Sequence, residues 1–295
     1  MTIRLVTDST CDLPEEIAAQ HGITVVPLYI NFGGESYLDG IDLSREAFYA
    51  RLPDCDPPPT TAMPGPQMFL KAYERLADEG ATEILSVHIS KSLSAVIDTA
   101  HLAAREASTP VTVFDSGTLS LGTGFLVWAA AEAADQGYSM DAIVALMKEQ
   151  SQRTHVFAVL DTLEFLRRGG RMNRMMAVLG SWLQMKPLLK MHDGNPTAEK
   201  IRTAKAATQR LVALLEEQVP LERVALVHTH AIEKAQDLRQ QAQHLLPEGE
   251  ILSVDITPVF GTHLGPGAVG FVCISELPHL STGTERTKHD EKSRS

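Results

Sequence analysis

Ile3-Arg4-Leu5-Val6-Thr7-Asp8-Ser9-Thr10-Cys11-Asp12-Leu13-Pro14-Glu15-Glu16 holds, in fourteen residues, the unit that sets the fold. An apolar strand over residues 3–6 ends in a polar cluster, and a helix then starts with proline in its first turn. The unit recurs. Glu83 to Ile89 reads as a buried strand, ends in Ser90-Lys91-Ser92-Leu93-Ser94, and precedes a helix that turns Val96, Ala100, Ala103 and Ala104 inward. Val111 to Phe114 is a further strand, closed by Asp115-Ser116-Gly117 and followed by helices over about 121–136 and 139–150. Strand, polar loop and helix in repetition predict a parallel, doubly wound sheet with helices on both faces, a three-layer α/β arrangement. Ligands of such sheets lie at the carboxyl ends of the strands, where these polar loops sit.

Between these units, Ile23 to Ile30 reads as one strand and Ser44 to Leu52 as a helix. Residues 53–66 carry six prolines and form a stiff, extended loop that presents Thr60 and Thr61. A helix with Met68, Phe69, Ala72, Tyr73 and Leu76 on one face follows and stops at Gly80.

The second half changes character. A strand near Val156 to Leu160 leads into a short helix from Thr162 to Leu166 and then Arg167-Arg168-Gly169-Gly170-Arg171, a positive patch in an acidic chain. The patch reads either as a solvated helix end or as a contact for phosphate or an acidic partner. Met185 to Met191, the turn His192-Asp193-Gly194-Asn195 and the stretch to Arg202 predict a hairpin. An amphipathic helix over Ala204 to Val219, a strand over Val224 to His228, a helix over Ile232 to Leu245 and a strand over Ile251 to Ile256 complete a mixed-sheet, two-layer α/β unit. The expected division is residues 1–152, residues 153–280, and a charged tail over 281–295 too poor in large apolar residues to fold.

Near the end stands Pro258-Val259-Phe260-Gly261-Thr262-His263-Leu264-Gly265-Pro266-Gly267, followed by the strand-like run Ala268 to Ile274. Three glycines and two prolines in ten residues argue against regular structure, so His263 is expected in a tight loop. An imidazole there can donate a hydrogen bond to an anion, or merely brace the loop.

At 295 residues and 44% hydrophobic composition the chain can bury two cores. Lys and Arg number 26 against 37 Asp and Glu, a net charge of −11, which disfavours nucleic acid and anionic membrane surfaces as partners. Met1-Thr2-Ile3-Arg4 leads directly into a strand without a secretory pattern, and no apolar run is long enough to span a bilayer. Cys11, Cys55 and Cys273 are odd in number and lack metal-ligand spacing, which fits free thiols in a reducing cytoplasm. No nucleotide-binding glycine motif, zinc signature or nucleophile elbow is present. His228-Thr229-His230 alternate along a strand end, so the two imidazoles should point to opposite faces, a poor metal site. The sequence does not place its aspartates and serines into a triad.

Several motifs, in order, carry a resemblance: Thr7 to Leu13; Thr61-Ala62-Met63-Pro64; Ile89 to Ser94; Asp115-Ser116; Leu163-Glu164-Phe165-Leu166-Arg167-Arg168-Gly169-Gly170-Arg171; and Gly261 to Gly267. Together they resemble the DegV family of bacterial fatty-acid-binding proteins over essentially residues 3–275. The resemblance implies two α/β domains with a long acyl chain, such as that of palmitate, in an apolar tunnel between or within them. It implies a carboxylate held by Thr61, Ser94 and His263, with no further cofactor, no metal and no catalytic residue of its own. It also implies presentation of the fatty acid to a separate kinase subunit that forms the acyl phosphate, with Arg171 as a contact toward that kinase or the acyl phosphate. The chain departs from the family pattern at Ala62, Met63, Lys91 and Ala95, which bears on ligand preference. The alternative is a small-molecule hydrolase or carbonyl-binding transferase that uses His263 with a serine. On the carrier reading the cavity should be lined from the N-terminal sheet and helices.

Overall fold

The computed structural model describes residues 2–170 and 185–277. The first half runs β1 (Ile3–Asp8), α1 (Glu15–Gln20), β2 (Thr24–Val26), β3 (Tyr29–Phe32), β4 (Glu35–Leu38), α2 (Arg45–Arg51), β5 (Thr60–Ala62), α3 (Pro66–Asp78), β6 (Glu83–His88), α4 (Val96–Ala104), β7 (Val111–Asp115), α5 (Leu121–Asp135) and α6 (Met140–Ser151). The second runs β8 (Thr154–Val159), α7 (Glu164–Arg168), β9 (Lys186–His192), β10 (Asn195–Ile201), α8 (Ala204–Glu216), β11 (Leu221–His228), α9 (Ile232–Ala242), β12 (Leu252–Asp255), α10 (Pro258–Leu264) and β13 (Val269–Ser275).

The fold is α/β, as the repeated unit requires. Strands β2-β1-β6-β7 form a wholly parallel sheet in that order. The chain steps outward from β1 to β2 and returns on the other side of β1 to β6, so the switch point lies between β1 and β6. One face packs on α3 and α4 through Val6, Ile84, Phe69 and Tyr73; the other packs on α1, α5 and α6 through Leu5, Leu85, Leu126 and Ile143. The second sheet is mixed, in the order β10-β9-β8-β13-β11-β12, with α8 and α9 covering one face through Leu211, Leu215 and Leu238. Its other face joins the first half: Val156, Ala225 and Val272 share one buried cluster with Val6 and Ile84. Arg223 of β11 ties to α5, with its guanidinium 2.5 Å from Glu132 and 4.4 Å from the centre of the Trp128 ring.

Three expectations need correction. Ile23 to Ile30 is two strands in two sheets, because Pro27 has no N–H for a ladder and Leu28 N bonds the Ser9 hydroxyl at 3.1 Å instead. The second piece, β3, pairs with β4 and β5 in a small antiparallel sheet that sequence reading missed. Short strands bounded by prolines give too little period-two pattern to recognise.

The third correction is α10, read as a loop. Pro258 occupies its first turn, where a missing N–H costs nothing, and the Thr257 hydroxyl caps it by accepting from Val259 N at 3.1 Å. Gly261 sits inside the helix because a Cβ there would lie 2.6 Å from Tyr49 Oη. Gly265, at φ +70°, lies just past the end, and its N–H bonds Gly261 O at 2.8 Å. Proline and glycine here mark a start, a close packing contact and a stop. The charged tail over 281–295 lies outside the described residues.

Candidate functional site

Thr61, Ser94 and His263 line one cavity, although they come from three distant parts of the chain. Thr61 is set by β5, where it pairs across from Ile30 of β3. Ser94 lies in the loop between β6 and α4, and its oxygen accepts from Val96 N at 3.4 Å, leaving its own proton to donate. Ser90 and Ser92 engage each other, with their hydroxyls 2.9 Å apart. His263 is in the last turn of α10, with Nε2 3.0 Å from Thr61 Oγ1. A Cβ on Gly169 would collide with the other ring nitrogen of His263, so glycine there is a condition for the imidazole's position. Sequence reading saw Gly169 only as part of an arginine patch; a double glycine after a short helix was the one available sign.

The cavity holds about 950 Å³ of empty space, counting the part open to solvent. Leu28, Ile89, Leu93 and Leu119 line it from the first half; Val156, Ala158, Leu189 and Met191 from the second sheet; Val259, Phe260 and Leu264 from α10. The expected lining from the N-terminal half is present, and the second sheet and α10 add to it. The cavity lies where the two halves meet, one of the two placements that the resemblance implies, because that interface brings two apolar faces together. The loops after β1 and β6 contribute Thr10 and Ser94, which places the cavity outside the carboxyl ends of the strands at the switch point. Lys190, also on its wall, places its ammonium 2.7 Å from Glu199.

A second hydroxyl–imidazole arrangement lies in the core. Asp8 Oδ2 is 2.8 Å from His88 Nδ1, His88 Nε2 is 2.8 Å from Ser86 Oγ, and Ser86 Oγ is 2.8 Å from Tyr73 Oη. The order is that of a Ser–His–Asp triad, which sequence reading did not assemble. All four side chains are fully buried, so no substrate reaches Ser86. Burial pushes the Tyr73 hydroxyl up to about 12, which keeps it a neutral hydrogen-bonding end to the chain.

The remaining sequence candidates fall elsewhere. Arg167 and Arg168 both pair with Glu164, at 2.7 and 2.6 Å, and hold its carboxyl down to about 2. Arg171 lies outside the described residues. His228 and His230 do not point to opposite faces. The strand ends at His228, His230 turns at φ +49°, and both imidazoles come within 3.6 and 3.7 Å of Asp255. His230 also stacks on Tyr49. Among the described residues no group of three or more His, Cys, Asp or Glu is arranged to hold a metal ion. Cys11 and Cys273 are free thiols that burial pushes up to about 12, so both stay protonated. No helix of the described residues is long and apolar enough to cross a membrane.

The model of the DegV family matches residues 2–276. A DegV domain-containing protein of Streptomyces coelicolor is 37% identical over 278 residues, covering 92% of this chain and 98% of its own. Among solved structures, one described as fatty acid binding of a DegV family protein from Thermus thermophilus superposes with a TM-score of 0.86 at 34% identity, covering 94% of this chain and 100% of its own. DegV from Bacillus subtilis, described as a fatty acid binding protein, gives a TM-score of 0.85 at 31% identity, with 93% and 100% covered. In sequence and in fold, over nearly its whole described length, the chain belongs to the DegV family.

Proposed function

We propose that this protein is a cytoplasmic carrier of a long-chain fatty acid, such as palmitate, with no chemistry and no cofactor of its own. The acyl chain occupies the cavity between the two halves, and the carboxylate rests on Thr61, Ser94 and His263. The carrying observation is that an apolar cavity has the Thr61 and Ser94 hydroxyls and the His263 imidazole on its wall, with Thr61 and His263 already hydrogen-bonded to each other at 3.0 Å. Burying a methylene contributes about 0.8 kcal/mol, so about fifteen supply on the order of 12 kcal/mol before the costs of association. An ionised carboxylate cannot stay in such a wall without donors, and hydroxyls with an imidazole provide them. The similar structures from Thermus thermophilus and Bacillus subtilis, both described as fatty-acid binding, support the reading.

The carrier presents its ligand to a separate ATP-using kinase, with Arg171 as a contact toward that partner or the acyl phosphate. The carrier reading is preferred over the hydrolase alternative because His263 faces a threonine, not a serine, at hydrogen-bond distance, and the Ser–His–Asp alignment found among the described residues is sealed in the core. Mass spectrometry of an organic extract of the purified protein tests the carrier reading. Close to one C14–C18 fatty acid per chain is expected; a delipidated protein that neither contains nor takes up palmitate would overturn it. Addition of a fatty acid kinase subunit and ATP tests presentation, which fails if no acyl phosphate forms on loaded protein.

A further inference from the structure

Three separate segments carry cavity wall without touching in sequence: Thr10 after β1, Leu119 before α5, and α10 with Phe260 and His263. One buried carboxylate joins them. Asp12 Oδ2 accepts from Ser120 Oγ at 2.6 Å, and Asp12 Oδ1 accepts from the backbone N of Thr257 at 2.6 Å. Ser120 adjoins Leu119 and precedes α5; Thr257 is the N-cap of α10. Asp12 itself follows Thr10 by two residues. Both Asp12 and Ser120 are held at φ +53°, a region that side chains other than Gly, Asn and Asp adopt at a cost. Ser120, where that conformation carries the cost, bonds Asp12 across 108 positions and is over-determined by its surroundings, and such strain collects at functional sites. The Thr257 hydroxyl, on its other side, donates to Asp39, so the start of α10 is gripped by two carboxylates.

We propose that Asp12 is a positioning residue of the fatty-acid site: it locks three wall segments together and fixes α10 so that His263 reaches Thr61. The proposal rests on reading the cavity as a fatty-acid site. Asp12 touches no ligand; it acts through Thr257 and Ser120. Removing its carboxylate leaves the Thr257 N–H, at the head of a two-turn helix, without its acceptor. His263 stands six residues further on, so a small tilt of the helix moves the imidazole off Thr61. Asparagine tolerates the same backbone, offers one oxygen to Thr257 N and can donate to Ser120 Oγ, so it should restore the geometry.

The test measures palmitate affinity and the imidazole NMR resonances of His263 in delipidated protein, for Asp12→Ala, Asp12→Asn and Leu238→Ala. Leu238 is a buried residue of α9 outside the cavity wall and serves as a control for general loss of stability. Asp12→Ala is expected to weaken palmitate binding tenfold or more and to shift the His263 resonances. Asp12→Asn is expected to bind within about threefold of the parent, and Leu238→Ala to lose melting temperature with neither change. If Asp12→Ala does not fold, Asp12→Ser, too short to reach both partners, takes its place with the same expectation. Unchanged His263 resonances and affinity would overturn the proposal, as would an equal loss in Leu238→Ala at the same drop in melting. If the parent takes up no palmitate, the fatty-acid reading falls, while the His263 resonances still report whether Asp12 sets the imidazole.

Discussion

The molecule contains two clusters built from the same side chains, hydroxyls against an imidazole. Asp8, His88, Ser86 and Tyr73 form one, fully buried between the parallel sheet and α3, with Asp8 also accepting from Thr10 N at 3.0 Å. Thr61, Ser94 and His263 form the other, on the wall of an apolar cavity partly open to solvent. The first has the more enzyme-like order of residues and has no access. The second has no carboxylate partner among its three residues and faces room for a ligand. Chemistry-bearing residue types do not by themselves make a site; what an incoming group can reach decides between bracing and binding.

The largest expected effect breaks the first cluster. His88→Ala removes a buried hydrogen-bond partner of Asp8 and Ser86 and leaves a cavity beside Phe69, together worth about 3–5 kcal/mol. Urea denaturation should show a loss of this size, with the folded fraction still able to take up palmitate. A loss below about 1 kcal/mol would mean that Asp8 is not held as described.

His263→Ala tests the second cluster from the opposite side. A hydrogen bond to a charged group contributes about 1.5–3 kcal/mol, so palmitate affinity should fall about ten- to a hundredfold with little change in melting. Gly169→Ala, which crowds the same ring, should act in the same direction. If His263→Ala melts much lower and binds palmitate as tightly as the parent, the imidazole braces the fold, and the two clusters are alike after all.

Asp12 links the comparison, since it follows the Asp8 loop in sequence and bonds α10 of the second cluster. Burial pushes its carboxyl from 3.8 up to about 7, against the lowering effect of Arg45, while Asp39 opposes ionisation as well. A carboxylate raised in the folded state contributes stability that is complete below about pH 4 and is lost as pH rises through about 7. Between pH 6 and pH 8 the protein should therefore lose about 1 kcal/mol. Asp39 is also raised by burial, so Asp12→Asn should make the slope shallower rather than flat. Melting curves across that window check it; a parent protein that gains stability toward pH 8 contradicts the assignment.

The smallest effects belong to the hydroxyls. Thr61→Val and Ser94→Ala each remove one neutral donor, worth about 0.5–1.5 kcal/mol. Palmitate titration should show each weaker by a few-fold, and less affected than His263→Ala. A loss at either position larger than that of His263→Ala would reverse the order of importance within the cluster.

The sequence by itself determined the class of fold and the type of most of its long elements. Apolar runs of strand length, polar loops after them and amphipathic helices are local signals, and β1, β6, β7 and the hairpin of β9 and β10 follow them closely. It also singled out Thr61, Ser94 and His263, first as polar groups in proline-, serine- and glycine-rich loops and then, as a set, through motifs in order. Tertiary structure decided what local signals cannot contain. Whether Gly261 and Gly265 make a loop or a helix depended on Tyr49 and Phe165, which press against them from elsewhere in the chain. Whether Ile23 to Ile30 is one strand or two depended on Ser9 and on the partners β1 and β5. The side-by-side approach of His228 and His230 to Asp255 depended on a positive φ at His230 that alternation along a strand does not foresee. The cavity, finally, belongs to no segment: it is the space left where two independently patterned apolar faces meet, and its walls become neighbours only when the chain has folded.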